Sequence, residues 1–570
     1  MSGRVEAIGS RLLSLTVCCS EAAKGETFVF KTLGLMVLLA VSVGVAHLSG
    51  SLVHALWPAI AAFIGILFFK EATLGLACGV VAGTLVVVQA DPIALWHTLF
   101  ADFLFPGLQG PWRIGAVLFT LMLGAFAGIL EASRGFEALL LRHAGAGVLS
   151  DRRVLGVVYL TGLLCFFDGL ASSLLTGRVA RTLVDRAGIS RERLAWVVDS
   201  TASPVACVSF ISTWIATQLS LIAQGTQHAP FSAAPYALYF QSIVANPYCL
   251  LTLWVVPLSI ALRYQPAAMA RFTVTAASGS TTHDAACCAN PQRVVIIPLA
   301  VLILAIIIGF PLLMSQPPDI RHLDGWQQAF SGDGGPYALV FGASLALGTA
   351  WLCFPAHRRH EVGPAAIQGA ASVLPALLIL ILAYALGGIL NHLGAAKALL
   401  ALLGTGFTVT VFPAVIFTLA GAMSFVTGSS WGTMGLLTPL VLPAGLLACQ
   451  QSGLSVAETQ GLVVATIGAV FGGATFGDHC SPFSDTTIVS ALASGCKTLD
   501  HVTSQMPFAA LCALFSFGAY LLLPLGLPTW LTLAIAALGL TLVIAVLTRH
   551  SRLRKRAIEE PPLKATSAGT

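Results

Sequence analysis

Residues 476–488, FGDHCSPFSDTTI, place two carboxylates, Asp478 and Asp485, and an imidazole, His479, around Ser481-Pro482. Hydroxyls follow at Ser484, Thr486 and Thr487. Carboxylate, carbonyl and hydroxyl oxygens are the donors that hard cations prefer, so residues of these types at this spacing could replace the water around a sodium ion and cancel its charge. Burial disfavours the charged form of a carboxyl and a nearby cation favours it, so proton and sodium compete for one group. That competition is enough for exchange. A second stretch has related parts: FFDGLASSLLTG brings Asp168, Ser172 and Ser173, and STASPVACVS brings Thr201 and Ser203-Pro204 just after Asp199.

The elements that position these groups must be membrane helices. The chain of 570 residues is 57% hydrophobic and only 9% Asp, Glu, Lys and Arg, against about 25% charged in soluble domains. Apolar runs of about 20 residues, long enough to cross the hydrocarbon core, recur from Leu33 to Leu547. A charge in mid-membrane costs about 2.5–3.5 kcal/mol even on the gentler insertion scales, so Asp168, Asp478 and Asp485 read as functional. The plainer alternative is that they cap helix ends freed by the proline breaks, and the two roles are compatible. His479 could tune its neighbours or titrate near neutral pH, or only hydrogen-bond at the broken helix. Asp199 is either a further site member or faces the cytoplasmic entrance.

The net charge of +5 sits in a few short loops, which makes it a signal of membrane orientation rather than of a nucleic-acid partner. Of thirteen cysteines, including the adjacent pairs Cys18-Cys19 and Cys287-Cys288, none has zinc-site spacing. They read as small apolar fillers. Arg4, Arg11, Lys24 and Lys31 precede the first long apolar run without a short hydrophobic core and small-residue cleavage site, so the start reads as uncleaved.

Assigning sides from Lys and Arg alone gives both flanks of Val154 to Leu175 to the cytoplasm, because Arg134, Arg142, Arg152 and Arg153 lie before it and Arg178, Arg181, Arg186, Arg191 and Arg193 after it. A re-entrant hairpin with its tip at 168–173 resolves the conflict, and such backbone is tolerated where it is buried in protein or lines a cavity. The crossing from Leu194 to Ile222 is then interrupted at Ser203-Pro204. In the second half, FVTGSSWGTMG marks a hairpin that enters from outside, its tip at Gly428, Ser429 and Ser430, followed by a crossing broken at Ser481-Pro482. The same order of parts, entered from opposite sides, is an inverted repeat, the plan on which many secondary transporters build a midplane site.

The expected fold is an all-α polytopic membrane protein of about 12 transmembrane helices and two re-entrant hairpins. Its parts are a cytoplasmic segment 1–32, a first half 33–262, a cytoplasmic linker 263–293, an inverted second half 294–548 and a basic tail 549–570. Lys70-Glu71, Arg178 and Arg181 are expected at the solvated interface.

GDHCSPFSDTTIVSA resembles, nearly position for position, the most distinctive motif of the NhaC-type sodium/proton antiporters of the ion transporter superfamily. SSLLTGRVARTLVDRAGISRERLAWVVDSTASPVACVSFISTW is similar to that family's other long block, and WPAIAAFIGILFFKEATLGLACGVVAG to its N-terminal segment. The likeness spans roughly residues 55–525. It implies scaffold helices around a moving transport domain that holds both hairpins, and transport coupled to sodium or protons. The chain departs from the pattern at Gly169, where members often carry a second acid, and at Ser172, where they carry Asn.

The sequence therefore predicts a sodium/proton antiporter of a bacterial-type inner membrane working by alternating access, with both termini cytoplasmic. Ions or protons would be held by Asp478, Asp485, Asp168, Ser481, Ser484, Thr486, His479, Ser203, Thr201 and Asp199, sodium through Asp478 and Asp485. No cofactor is expected beyond the sodium ion and proton carried. A rival is a sodium- or proton-coupled carrier of a small organic anion or amino acid, whose carboxylate would be held by the hairpin tips Ser172, Ser173, Gly428, Ser429 and Ser430. The expected surroundings are the lipid bilayer, and a homodimer is left open. An intramembrane serine hydrolase fits less well, since there is no GxSxG elbow and Asp478 adjoins His479 in sequence. A passive pore does not call for paired inverted breaks.

Overall fold

The computed structural model describes residues 31–144, 150–231, 234–272, 292–404 and 408–559. Cys18-Cys19, Cys287-Cys288, most of the 263–293 linker and the end of the 549–570 tail lie outside them. In hydrocarbon a backbone has no water to bond, so a chain this apolar must pair its amides within helices. Every regular element among the described residues is helical. Among the described residues eleven helices are long and apolar enough to cross a membrane, or twelve if the pair Pro235–Val244 and Pro247–Leu262, bent by 48°, is one span.

Helix α1 (Pro111–Ala132) precedes the first hairpin, which is α2 (Asp151–Leu164) followed by α3 (Gly169–Arg186). The 14 residues of α2 rise about 21 Å, short of the ~30 Å hydrocarbon core. The next crossing comes in three pieces, α4 (Arg191–Ser200), α5 (Ser203–Val208) and α6 (Thr213–Gly225). One interruption was expected there, and the structure has two. Pro204 lies in the first turn of α5, where its missing N–H is not needed, and a second extended stretch through Ser209 and Ser212 separates α5 from α6. Then comes α7 (Pro247–Leu262).

In the second half, α8 (Val362–Ser372) and α9 (Leu374–His392) lead to the hairpin of α10 (Phe412–Thr427) and α11 (Ser430–Gln451). The second broken crossing is α12 (Val456–Cys480) and α13 (Asp485–Ser494), followed by α14 (Thr498–Leu521). Gly428 makes the hairpin turn with φ +67°, and a Cβ there would meet the carbonyl carbon of Phe483 at 2.7 Å. The hairpin tip thus rests on the break between α12 and α13. Gly477 allows α12 to touch α10, since a Cβ would come within 2.4 Å of the Gly421 carbonyl oxygen. Small residues permit such backbone approach between membrane helices.

The halves interlock through α3 and α13, which pack together. The guanidinium of Arg181 donates to the carbonyls of Leu492 at 2.8 Å and Ala493 at 2.7 Å, and a cation is favoured at a helix C-terminus. Arg181 is therefore more than the solvated residue the sequence suggests. Lys70 is exposed and lies over the Phe483 ring, 4.9 Å from its centroid.

Candidate functional site

The last turn of α12 carries Asp478 into the place where both broken crossings meet. Its side chain is fully buried, and the donors around it are hydroxyls. Oδ1 accepts from Ser484 Oγ at 2.6 Å, and Oδ2 from Thr486 Oγ1 at 2.9 Å and Ser203 Oγ at 3.0 Å. Thr486 Oγ1 also lies 3.2 Å from Ser203 Oγ and 3.1 Å from Ser484 Oγ. One of the three hydroxyls comes from the first half of the chain and two from the second. Only the interruptions allow this, because Ser203 opens α5 and Ser484 is the N-cap of α13. A hydroxyl that donates to a carboxylate keeps lone pairs for another partner, so the cluster offers a cation one negative charge and three neutral oxygens.

Asp199, at the end of α4, is buried just as completely but is held by different atoms. Oδ2 accepts from Gln505 Nε2 at 2.9 Å and faces His501 Nε2 at 3.2 Å, with His479 Nε2 at 3.9 Å. Thr487 Oγ1 at 3.4 Å and Ser490 Oγ at 3.3 Å complete the set. When Asp199 is ionised it can only accept, and His501 Nε2 is then the donor. His479 stands between the two acids: its Nδ1 pairs with the Tyr248 hydroxyl of α7 at 2.9 Å, its Nε2 with Ser200 Oγ at 3.2 Å, and its carbonyl accepts from Gln505. Thr487 Oγ1 donates to the Asp478 carbonyl at 3.0 Å, which ties the two centres through one side chain.

The remaining expected residues lie apart from the Asp478 carboxylate. Asp168 is the N-cap of α3, accepting from Ala171 N at 2.7 Å and Thr213 Oγ1 at 2.9 Å, so the capping role is the one seen. It also lines a cavity of about 470 Å³ between α1, α3 and α8, together with Glu131 and Gln368. Asp485 is exposed and accepts from Thr486 N at 2.8 Å; it meets the cluster through that residue's backbone. Ser481 Oγ accepts from Phe483 N at 3.3 Å, and Thr201 Oγ1 bonds back to the Val197 carbonyl at 2.9 Å. Ser173 joins Ser490 at 3.0 Å and so reaches Asp199 at second hand. Ser172 Oγ is buried without a partner. Ser429 caps α11 by accepting from Gly432 N at 3.0 Å, and Ser430 is buried in the first turn of α11.

Sequence reading missed His501, Gln505 and Tyr248. For the first two a signal existed: four residues apart in TLDHVTSQ, they share one face of α14 in a largely apolar segment. Tyr248 carries none, since a tyrosine in an apolar run is ordinarily core. Among the described residues no group of three or more His, Cys, Asp and Glu is arranged to hold a metal ion.

The chain is similar to several known proteins. A protein of Haemophilus influenzae described as uncharacterized is 27% identical over 487 residues, covering 81% of this chain and 89% of that one. The malate-2H(+)/Na(+)-lactate antiporter of Bacillus subtilis is 26% identical over 214 residues, 37% of this chain and 39% of that protein. Among solved structures, the YdaH transporter of Alcanivorax borkumensis superposes with a TM-score of 0.49 at 16% identity, over 77% of this chain and 90% of that one. The sequence profile of the Na+/H+ antiporter family matches residues 205–525, more than half the chain and the part that holds α6, both arms of the second hairpin, and Asp478 with its Ser484 and Thr486 partners. The chain is a multi-pass membrane transporter and belongs to the Na+/H+ antiporter family.

Proposed function

We propose that this transporter exchanges sodium for protons across a bacterial-type inner membrane by alternating access, with both termini on the cytoplasmic side. The observation that carries the reading is the Asp478 carboxylate, buried at the junction of the two halves and held by hydroxyls alone. Sodium, as cargo, takes Asp478 with the oxygens of Ser203, Ser484 and Thr486. The proton is carried at the nitrogen-lined centre of Asp199 and His501, because an N–H that donates to a carboxylate has no lone pair left for a cation. Hairpin tips and broken helices then move as a unit against the scaffold helices, opening the site to one side at a time. The test uses the purified protein in liposomes with an internal pH dye. Sodium-evoked proton movement in wild type that Asp478→Asn lacks is the expected result; silence from wild type, beside a working control antiporter, would sink it.

The second reading, a coupled carrier of a small organic anion or amino acid, is favoured by one observation, a cavity at the far ends of α6 and α11 whose wall includes Arg113 and Lys397 and, among the described residues, no Asp or Glu.

A further inference from the structure

Two cavities flank one stretch of the bundle. The one of about 470 Å³ has Gly124, Glu131 and Asp168 in its wall, and one of about 540 Å³ opens beside Arg113 and Gln224. The loops that follow α6 and α11 at the second cavity are those that charge counting assigns to the outer face. Two helices run between the cavities, and each carries one polar face. On α6, Thr213, Thr217, Ser220 and Gln224 are spaced four, three and four residues apart, so they share a face that rises about 17 Å. On α1, Arg113, Thr120, Gly124 and Glu131 share a face in the same way, from the outer cavity to the inner.

Both ends of the α6 face are engaged. Thr213 Oγ1 donates to Asp168 Oδ2 at 2.9 Å. At the other end Gln224 Nε2 donates to the Tyr384 carbonyl at 2.9 Å, and the Tyr384 hydroxyl donates to Ser220 Oγ. The hydroxyls between are not engaged. Thr120 Oγ1, Thr217 Oγ1 and Thr438 Oγ1 have no hydrogen-bond partner among the described residues, and each of these threonines is at most 1% exposed. Thr438 belongs to the same gap: on α11, Trp431 and Leu442 meet α6 at Trp214 and Gly225, and Thr438 lies between them on that face. A threonine inside a helix can return its hydroxyl to the carbonyl four residues back, as Thr466 and Thr475 do. Three that do not, on three helices around one gap, are groups of the kind that buried water satisfies.

We propose that this seam is a water-lined proton path between the outer cavity and Asp168. A proton entering beside Gln224 passes from oxygen to oxygen, each hydroxyl accepting one hydrogen and releasing its own. Thr213 gives its hydrogen to Asp168 Oδ2 and takes the next one from the seam. The carboxylate becomes a neutral acid, and it is reset when its proton leaves through the inner cavity, where Glu131 is the receiving carboxylate. Polar groups kept inside a membrane mark relays of this kind. The inference rests on the proton coupling of the exchange proposed above, and adds to it a route and a second proton-bearing acid, apart from Asp478 and Asp199.

The test has two arms, both on the full-length protein. Radiolytic hydroxyl-radical labelling in detergent reads water beside a side chain and needs no transport. Tyr384 should be oxidised although it is only 1% exposed, whereas Tyr520, 2% exposed with its hydroxyl on the Ala245 carbonyl, should not. Thr217→Val combined with Thr438→Val should abolish the Tyr384 labelling, and Thr120→Val stands in if that pair fails to fold. In liposomes Thr217→Val should lower sodium-evoked proton flux about tenfold, the worth of one hydrogen bond to a charged group, while sodium affinity stays within about threefold as the check on folding. Thr466→Val, whose hydroxyl is bonded within α12, is the control and should change neither. Unlabelled Tyr384, labelling that the substitutions leave intact, or full proton flux through Thr217→Val overturns the seam. Wild-type liposomes that move no protons overturn the exchange reading instead, and the labelling arm then decides the seam alone.

Discussion

Asp478 and Asp199 are two carboxylates of equal burial in adjoining pockets, and they differ in their closest donors, all hydroxyls around Asp478 and two nitrogens ahead of two longer hydroxyl contacts around Asp199. Around Asp478 the donors are the oxygens of Ser203, Ser484 and Thr486. Around Asp199 the closest are nitrogens of Gln505 and His501. Oxygen donors can turn their lone pairs to an incoming cation, whereas an N–H that has given its hydrogen has nothing further to offer it. Under the proposed exchange, the Asp478 pocket takes the sodium ion and the Asp199 pocket the proton. Fixed position does the sorting, with His479 and Thr487 as the bridge.

The largest expected effect comes from removing the charge on the oxygen side. Asp478→Asn should lower sodium affinity, read by equilibrium binding of radioactive sodium, by about 100-fold or more, the scale set when a buried charge loses its partner. Proton flux in liposomes should fall to background with it. Asp199→Asn sharpens the comparison: proton flux should vanish while sodium affinity stays within about threefold, a change worth less than 1 kcal/mol. Equal loss of both quantities in this variant would merge the two pockets into one site.

Smaller effects follow at the partners. His501→Asn should lower exchange about tenfold at unchanged sodium affinity, in line with the loss of one hydrogen bond to a charged group. Thr486→Val keeps the shape and deletes one oxygen, so sodium affinity should fall about tenfold with proton binding kept. An unaltered affinity there would take the hydroxyls out of the cation shell. Ser490→Ala should do least, less than about threefold in either assay, since it removes one long contact to Asp199 and a neutral bond to Ser173.

Much of the architecture is legible in the residues. Solvent, helix content, the two hairpins and the proline breaks follow from apolar runs, basic loops and the paired Ser-Pro steps, because hydrocarbon leaves a backbone few options. Within the site, Asp478, Ser484 and Thr486 are close in sequence and stay together once the helix is broken between them. Ser203 could be suspected from the repeat, but its 275-residue separation from Asp478 is closed only by packing. Asp485, its equal in the motif, turns the other way, since its position at the first turn of α13 directs it to its neighbour's amide.

The sequence by itself determined that this chain spans a membrane and breaks its helices beside buried acids, because burial, charge and proline act locally. Which acid received oxygens and which received nitrogens was decided only by the tertiary structure. The donors of Asp199 come from α14, some 300 residues further along the chain, and no local rule of spacing or propensity reaches across that distance. The approach of α4, α12, α13 and α14 at one point made two identical carboxylates chemically unlike.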